Sequence, residues 1–357
     1  MSILPTDMLD PEIPVSQSWW EVESQRSQLQ FCFTSSFQQC EKMEIPAIKQ
    51  DLDSPCLSSP CDVALLANRR LLLVTEPSLN RIGIYSADDL QFKAWCIYPC
   101  IYGQNKKKFY YPTNILRTRN FLFILVKNEL LILDDELQPH QPPIKGKFAG
   151  LAENENGDVY TMFKDWKGRT YVKCLRLDTD PWRKEMYGKQ YFLWQGDKVL
   201  LSVVEKFQGW ESSSKCWFLT AKGSNLYITD TGLSKVYILD LKTGLQSAFS
   251  LLGSDKDQLK APTGILTDEK GNLLVCDSGN DRLAVYDEAG SFLKVAGSNE
   301  FSTPFGMVRH ENTIVVVYQG NTSENKASLV RYRTTQEIKG SSVDICNIPS
   351  VITTGVF

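Results

Sequence analysis

The chain has little of what most function classes require. It carries only two histidines, His140 and His310. General-base and proton-shuttle chemistry lean on imidazole, so few such groups are on offer. Ten cysteines are present, yet none forms a CxxC pair. Without that spacing, and with so few histidines, a zinc site is not expected. No apolar run is long enough to span a bilayer. The first fifteen residues contain Asp7, Asp10 and Glu12 and no basic start, unlike a secretory leader. The sequence therefore predicts no membrane and free thiols in a reducing compartment. A cytoplasmic location is expected, with the nucleus left open. Secretion with paired cysteines is the competing reading. No nucleophile elbow, P-loop or glycine-rich dinucleotide loop occurs.

Charge of one sign is also scarce. The net charge is -3 over 357 residues. Residues 1–30 alone contribute -4, leaving the remainder near +1. A near-neutral body lacks the field of a committed nucleic-acid binder. Residues 1–28, with Pro5, Pro11, Pro14 and the acids, read as a flexible acidic arm. Trp19-Trp20 within it either packs on the folded body or forms a partner-binding motif.

What the chain does have is internal repetition. Residues 73–85, 227–239 and 274–286 align without a gap. Each is a β-prone run, an acid, a few turn formers, a cation and a second β-prone run. Glu76, Asp230 and Asp277 share one position; Arg81, Lys235 and Arg282 share another. That is a hairpin of two antiparallel strands. Openings recur as well: Pro60-Cys61-Asp62, Pro112-Thr113-Asn114, Pro262-Thr263-Gly264 and Pro304-Phe305-Gly306. Proline at a strand's first residue forfeits no ladder bond.

These segments resemble the NHL repeat, closely over 262–297, fairly over 60–95 and 219–253, and weakly elsewhere. The resemblance spans about residues 55–340 and is similar to the propeller of TRIM-NHL-type proteins. It implies an all-β, six-bladed β-propeller over 29–357, with units starting at Pro60, Pro112, near Ala149, near Lys215, Pro262 and Pro304. A pair of β-sandwiches is the alternative. Leu29, Phe31 and Phe33 alternate with polar residues, and 351–357 is β-prone; one of these runs is expected to close the ring. Relatives with this repeat often carry a RING finger before the propeller. The Cys/His ladder of such a finger is missing, so ligase activity does not carry over.

The function expected is a non-enzymatic scaffold that binds a protein partner on the propeller's axial face. The candidate contacts are Lys106, Lys107, Lys108, Phe109, Tyr110 and Tyr111, leading into Pro112, with Trp166 and Arg169 in a nearby turn. Cations beside aromatic rings can grip phosphate and stack bases, so a single-stranded RNA ligand is the first alternative. The same run also reads as a solvated loop with one buried aromatic. A calcium-dependent lactonase or esterase is the second alternative. Against it, the openings carry Thr263 and Phe305 where the resemblance to lactonases calls for Asn; only Asn114 fits. No catalytic residue, metal or cofactor is assigned, and a monomer is expected. In the family pattern the hairpin cations Arg81 and Arg282 tie blade to blade.

Overall fold

The computed structural model describes residues 36–44, 57, 59–96, 109–134, 136–165, 167, 170–178, 184–187, 190–193, 198–206, 216–296, 302–310, 313–320 and 327–335. They form a six-bladed β-propeller: six four-stranded antiparallel sheets, five of them running in chain order from the axis outward. Blade 1 spans Val63–Trp95, blade 2 Ile115–Lys145, blade 4 Cys216–Phe249 and blade 5 Pro262–Ala296. Blade 3 runs from Lys147 to Lys206. It is longer because a small hairpin, Lys184–Tyr187 with Gln190–Leu193, is inserted between its third and outer strands.

Blade 6 draws on both ends of the chain. Its three inner strands are Pro304–His310, Thr313–Tyr318 and Ser328–Thr335, and its outer strand is Ser36–Glu44. Ser36 pairs with Thr335 and Glu44 with Ser328. The closing strand thus lies just past the Leu29–Phe33 run; that run, the 351–357 run and the arm fall outside the described residues. No described helix is long and apolar enough to cross a membrane.

A blade's strands are apolar on both faces because both faces are covered. In blade 2, Leu122 and Ile124 point toward blade 1 and pack with Leu73, Ile82 and Ile84. Phe123 and Leu125, one step along, point the other way and pack with Leu151, Val159 and Leu175 of blade 3. This is the period-two alternation of a strand, used twice. The core is accordingly divided into six clusters, one in each seam between neighbouring blades. A lone blade would leave both faces wet, so the ring is the smallest stable unit.

Near the axis the innermost strands come close enough that glycine is required. A Cβ on Gly306 would sit 2.6 Å from Cys61 O and 2.7 Å from Asp62 Cα. One on Gly264 would run into the carbonyl of Phe305. Four described cysteines, Cys61, Cys96, Cys174 and Cys276, are buried free thiols.

Candidate partner-binding face

One face of the ring collects the connection before each inner strand and the turn between second and third strands. The aligned acid and cation of each hairpin are cross-strand partners at that turn: Glu76 with Arg81, Asp230 with Lys235, Asp277 with Arg282. Two of the cations are committed to structure. Arg81 Nε donates to Glu76 at 2.7 Å, and its guanidinium lies 3.6 Å from the centre of the Trp95 ring. Arg282 Nε donates to Asp277 at 2.7 Å, while its outer nitrogen donates to the carbonyls of Asp255 and Gln258. Those carbonyls belong to the connection that enters blade 5. Both acids are fully buried, so each arginine neutralises a charge water cannot reach.

A second device recurs on this face, and sequence comparison does not show it. The last residue of the hairpin turn accepts the N–H of the residue just before the next opening proline. Asn80 Oδ1 accepts from Tyr111 at 2.8 Å, Ser234 Oγ from Ala261 at 3.1 Å, and Asp281 Oδ1 from Thr303 at 2.7 Å. All six residues have positive φ, between 49° and 59°. Asn, Ser and Asp are different letters doing one job, so no identity marks the position. The available signal was chemical: a short side-chain acceptor placed directly before the cation.

The predicted site residues divide. Phe109 is 1% exposed and packs in the seam between blades 1 and 2. It anchors the connection, its ring in the seam and not at the surface as a contact residue's would be. Tyr110 and Tyr111 are 60% and 46% exposed. Lys127 steadies Tyr110: its backbone N–H donates to Tyr110 O at 3.0 Å, and its ammonium lies 5.1 Å from the ring centre. Lys106, Lys107, Lys108, Trp166 and Arg169 lie outside the described residues.

Deeper along the axis, the structurally equivalent position of each inner strand holds Asp62, Asn114, Gly150, Phe218, Gly264 and Gly306. In three blades a threonine of the second strand marks it: Thr75, Thr161 and Thr229 donate to the carbonyls of Asp62, Gly150 and Phe218. The Asp62 carboxylate accepts Val63 N at 2.9 Å, Ile115 N at 3.1 Å and Asn114 Nδ2 at 3.5 Å. Asn114 Oδ1 in turn accepts Gly150 N at 3.4 Å. Blades 1, 2 and 3 are stitched by this relay. Burial pushes Asp62 up to about 7 against the pull of those donors. Calcium takes six to eight oxygen ligands. Here two oxygen-bearing side chains are spent on backbone amides, and glycine or phenylalanine fills the rest of the ring. Among the described residues, these two side chains fall short of the oxygen shell a calcium ion takes.

The opposite face bears a cavity of about 270 Å³ between blades 2 and 3, lined by Arg119, Phe121, Glu153 and Asn156 among others. Burial raises Glu153 to about 7, with nearby Arg117 opposing.

No protein-family model matches the chain. Solved structures share the propeller fold. A luciferin-regenerating enzyme aligns at 12% identity over 78% of this chain and 92% of its own, with a TM-score of 0.53. A Bacteroides thetaiotaomicron protein of unknown function aligns at 13% over 84% of this chain and 77% of its own, with a TM-score of 0.55. A PQQ-bound aldose sugar dehydrogenase from Streptomyces coelicolor aligns at 11% over 84% and 98%, with a TM-score of 0.50. Identities this low speak to fold alone.

Proposed function

We propose that the chain is an NHL-type propeller without chemistry of its own, a cytoplasmic scaffold that binds an extended segment of a protein partner on the face bearing Tyr110 and Tyr111. The observation that supports this reading is the pair of exposed tyrosines on a connection pinned from two sides, by Asn80 at Tyr111 and by Lys127 at Tyr110. Exposed tyrosine contributes large contact area at low entropic cost, and it recurs at interface hot spots. A ring already held in place loses less freedom on binding. Lys106, Lys107 and Lys108 precede the tyrosines in sequence and would steer an acidic partner. Single-stranded RNA is the second reading, favoured by the same exposed rings, on which bases can stack.

The test is affinity capture by the intact chain from cell extract, with and without nuclease, beside a Tyr110→Ala/Tyr111→Ala variant of unchanged melting temperature. Protein partners that survive nuclease and are lost from the variant support the scaffold. Loss of all partners on nuclease treatment moves the assignment to RNA. Equal capture by parent and variant removes this site.

A further inference from the structure

The six outer strands of the propeller differ in one respect. An outer strand is an open sheet edge, and proteins blunt such edges with charge, lysine above all. Blade 1 places Lys93 in its outer strand, blade 2 Lys145, blade 3 Lys198 and Lys206, blade 5 Lys294, and blade 6 Lys42. Blade 4's outer strand, Gln246–Phe249, has no charged residue. The neutral stretch is longer than the strand: nothing between Lys242 and Asp255 is charged, and no proline interrupts it.

The flanks of this edge are apolar and exposed. Leu245 at one end is 71% exposed; Leu251 and Leu252 at the other are 70% and 69%. Blade 5 shows the usual solution. Its exposed Leu293 and Val295 have Lys294 between them. Leu251 and Leu252 are also firmly held. Leu251 O accepts Leu259 N at 3.1 Å, and Asn280 Nδ2 donates to Gly253 O at 2.9 Å just beyond. Phe249 is turned inward onto Tyr286 of blade 5, ring centres 5.0 Å apart, which fixes the strand against the body.

The backbone direction completes the feature. Asp240 N donates to Leu245 O at 2.9 Å, and the strands run in regular antiparallel register to Val236 opposite Phe249. Alternate residues of such a ladder bond inward, so Ala248 turns its N–H and C=O away from the blade. The sheet ends at this strand among the described residues.

We infer that the outer edge of blade 4 is a self-association surface, on which the Gln246–Phe249 strand of a second copy adds antiparallel across a two-fold axis. A two-fold pairing sets a strand against itself. The lysine-bearing edges would then meet lysine, whereas this edge meets none. The antiparallel sense brings Leu245 of each copy toward Leu251 and Leu252 of the other, so the apolar ends complement one another. A strand of four residues buries far less than a standard interface, so the dimer is weak and reversible. The monomer expected from the sequence is its dilute form.

Sedimentation equilibrium of the full chain, from micromolar to hundreds of micromolar, tests this beside hydrogen exchange of the outward-facing Gln246 and Ala248 amides at both extremes. The expected result is a rise toward doubled mass, with slower exchange of these amides at high concentration. Ala248→Lys, which gives blade 4 the lysine its neighbours carry, should lower the association constant by about tenfold or more. A parent that stays monomeric throughout overturns the inference, as does association undiminished by Ala248→Lys. Should the variant misfold, the exchange measurement on the parent decides alone: protection of the Gln246 and Ala248 amides independent of concentration overturns it.

Discussion

Asn80 on the turn of blade 1 holds the backbone of Tyr111 on the way into blade 2, its Oδ1 accepting the Tyr111 N–H at 2.8 Å. Both residues have a φ of 54°. Asparagine tolerates that left-handed conformation; tyrosine does so at a cost of about 1–3 kcal/mol. The bond therefore maintains a conformation Tyr111 would otherwise leave, and it sets where the ring points. The same arrangement at Ser234–Ala261 and Asp281–Thr303 makes it a property of the repeat.

Replacing Asn80 by Ala should cost about 1–2 kcal/mol, from the lost hydrogen bond and the strain of a Cβ residue in that conformation. Asn80→Asp keeps the acceptor and should stay within about 0.5 kcal/mol of the parent. Urea unfolding of the two variants checks this. If Tyr111 is a contact residue, partner capture should fall with Asn80→Ala and persist with Asn80→Asp.

Stability should depend on pH through Asp62. Its carboxyl is raised by burial to about 7 in the fold, from an ordinary value of 3.8. The folded state then holds a proton that the unfolded state has released, so the contribution is full below about 4 and is lost as pH rises to about 7. Glu153, also raised to about 7, acts in the same direction. The neighbouring thiols of Cys61 and Cys276 are pushed up and stay neutral in this range. Urea midpoints at several pH values between 4 and 8 should fall with rising pH in the parent. The fall should be shallower in Asp62→Asn, and that variant should be less stable overall because its amide N–H2 faces two donors. An unchanged slope would show that Asp62 does not titrate there.

Arg282 should be among the costliest single positions to change. Removing its guanidinium leaves Asp277 buried without its cation, takes the side-chain donor from the Gln258 carbonyl, and leaves the Asp255 carbonyl only the Gln258 N–H. Breaking a buried pair from one side typically costs about 3–5 kcal/mol. Arg282→Lys should recover only part of this, since one ammonium cannot reproduce the three-way fork. The exposed Arg309–Glu269 pair, 2.9 Å apart with both side chains 37% exposed, is the control. Arg309→Ala should change stability by less than about 1 kcal/mol. Calorimetric or urea unfolding of the three variants gives the order directly.

The repeat, and with it the all-β, six-bladed ring, is legible in the order of residues along the chain. The reason is local. A hairpin turn needs its acid, turn formers and cation at set offsets, so Glu76–Arg81, Asp230–Lys235 and Asp277–Arg282 fall in one register, and proline announces an inner strand at Pro112, Pro262 and Pro304. Whatever depends on which blade lies beside which emerges only once the chain is folded. Phe109 and Tyr110 are adjacent aromatic letters, yet one fills the seam between blades 1 and 2 and the other faces solvent. The Asp62–Asn114–Gly150 relay joins three repeats across some ninety residues of sequence. Ring closure by Ser36–Glu44 required the two chain ends to meet, and no local pattern encodes that distance. The edge of blade 4 has meaning only against five other edges that carry lysine, a comparison that exists once the six sheets are laid out around one axis.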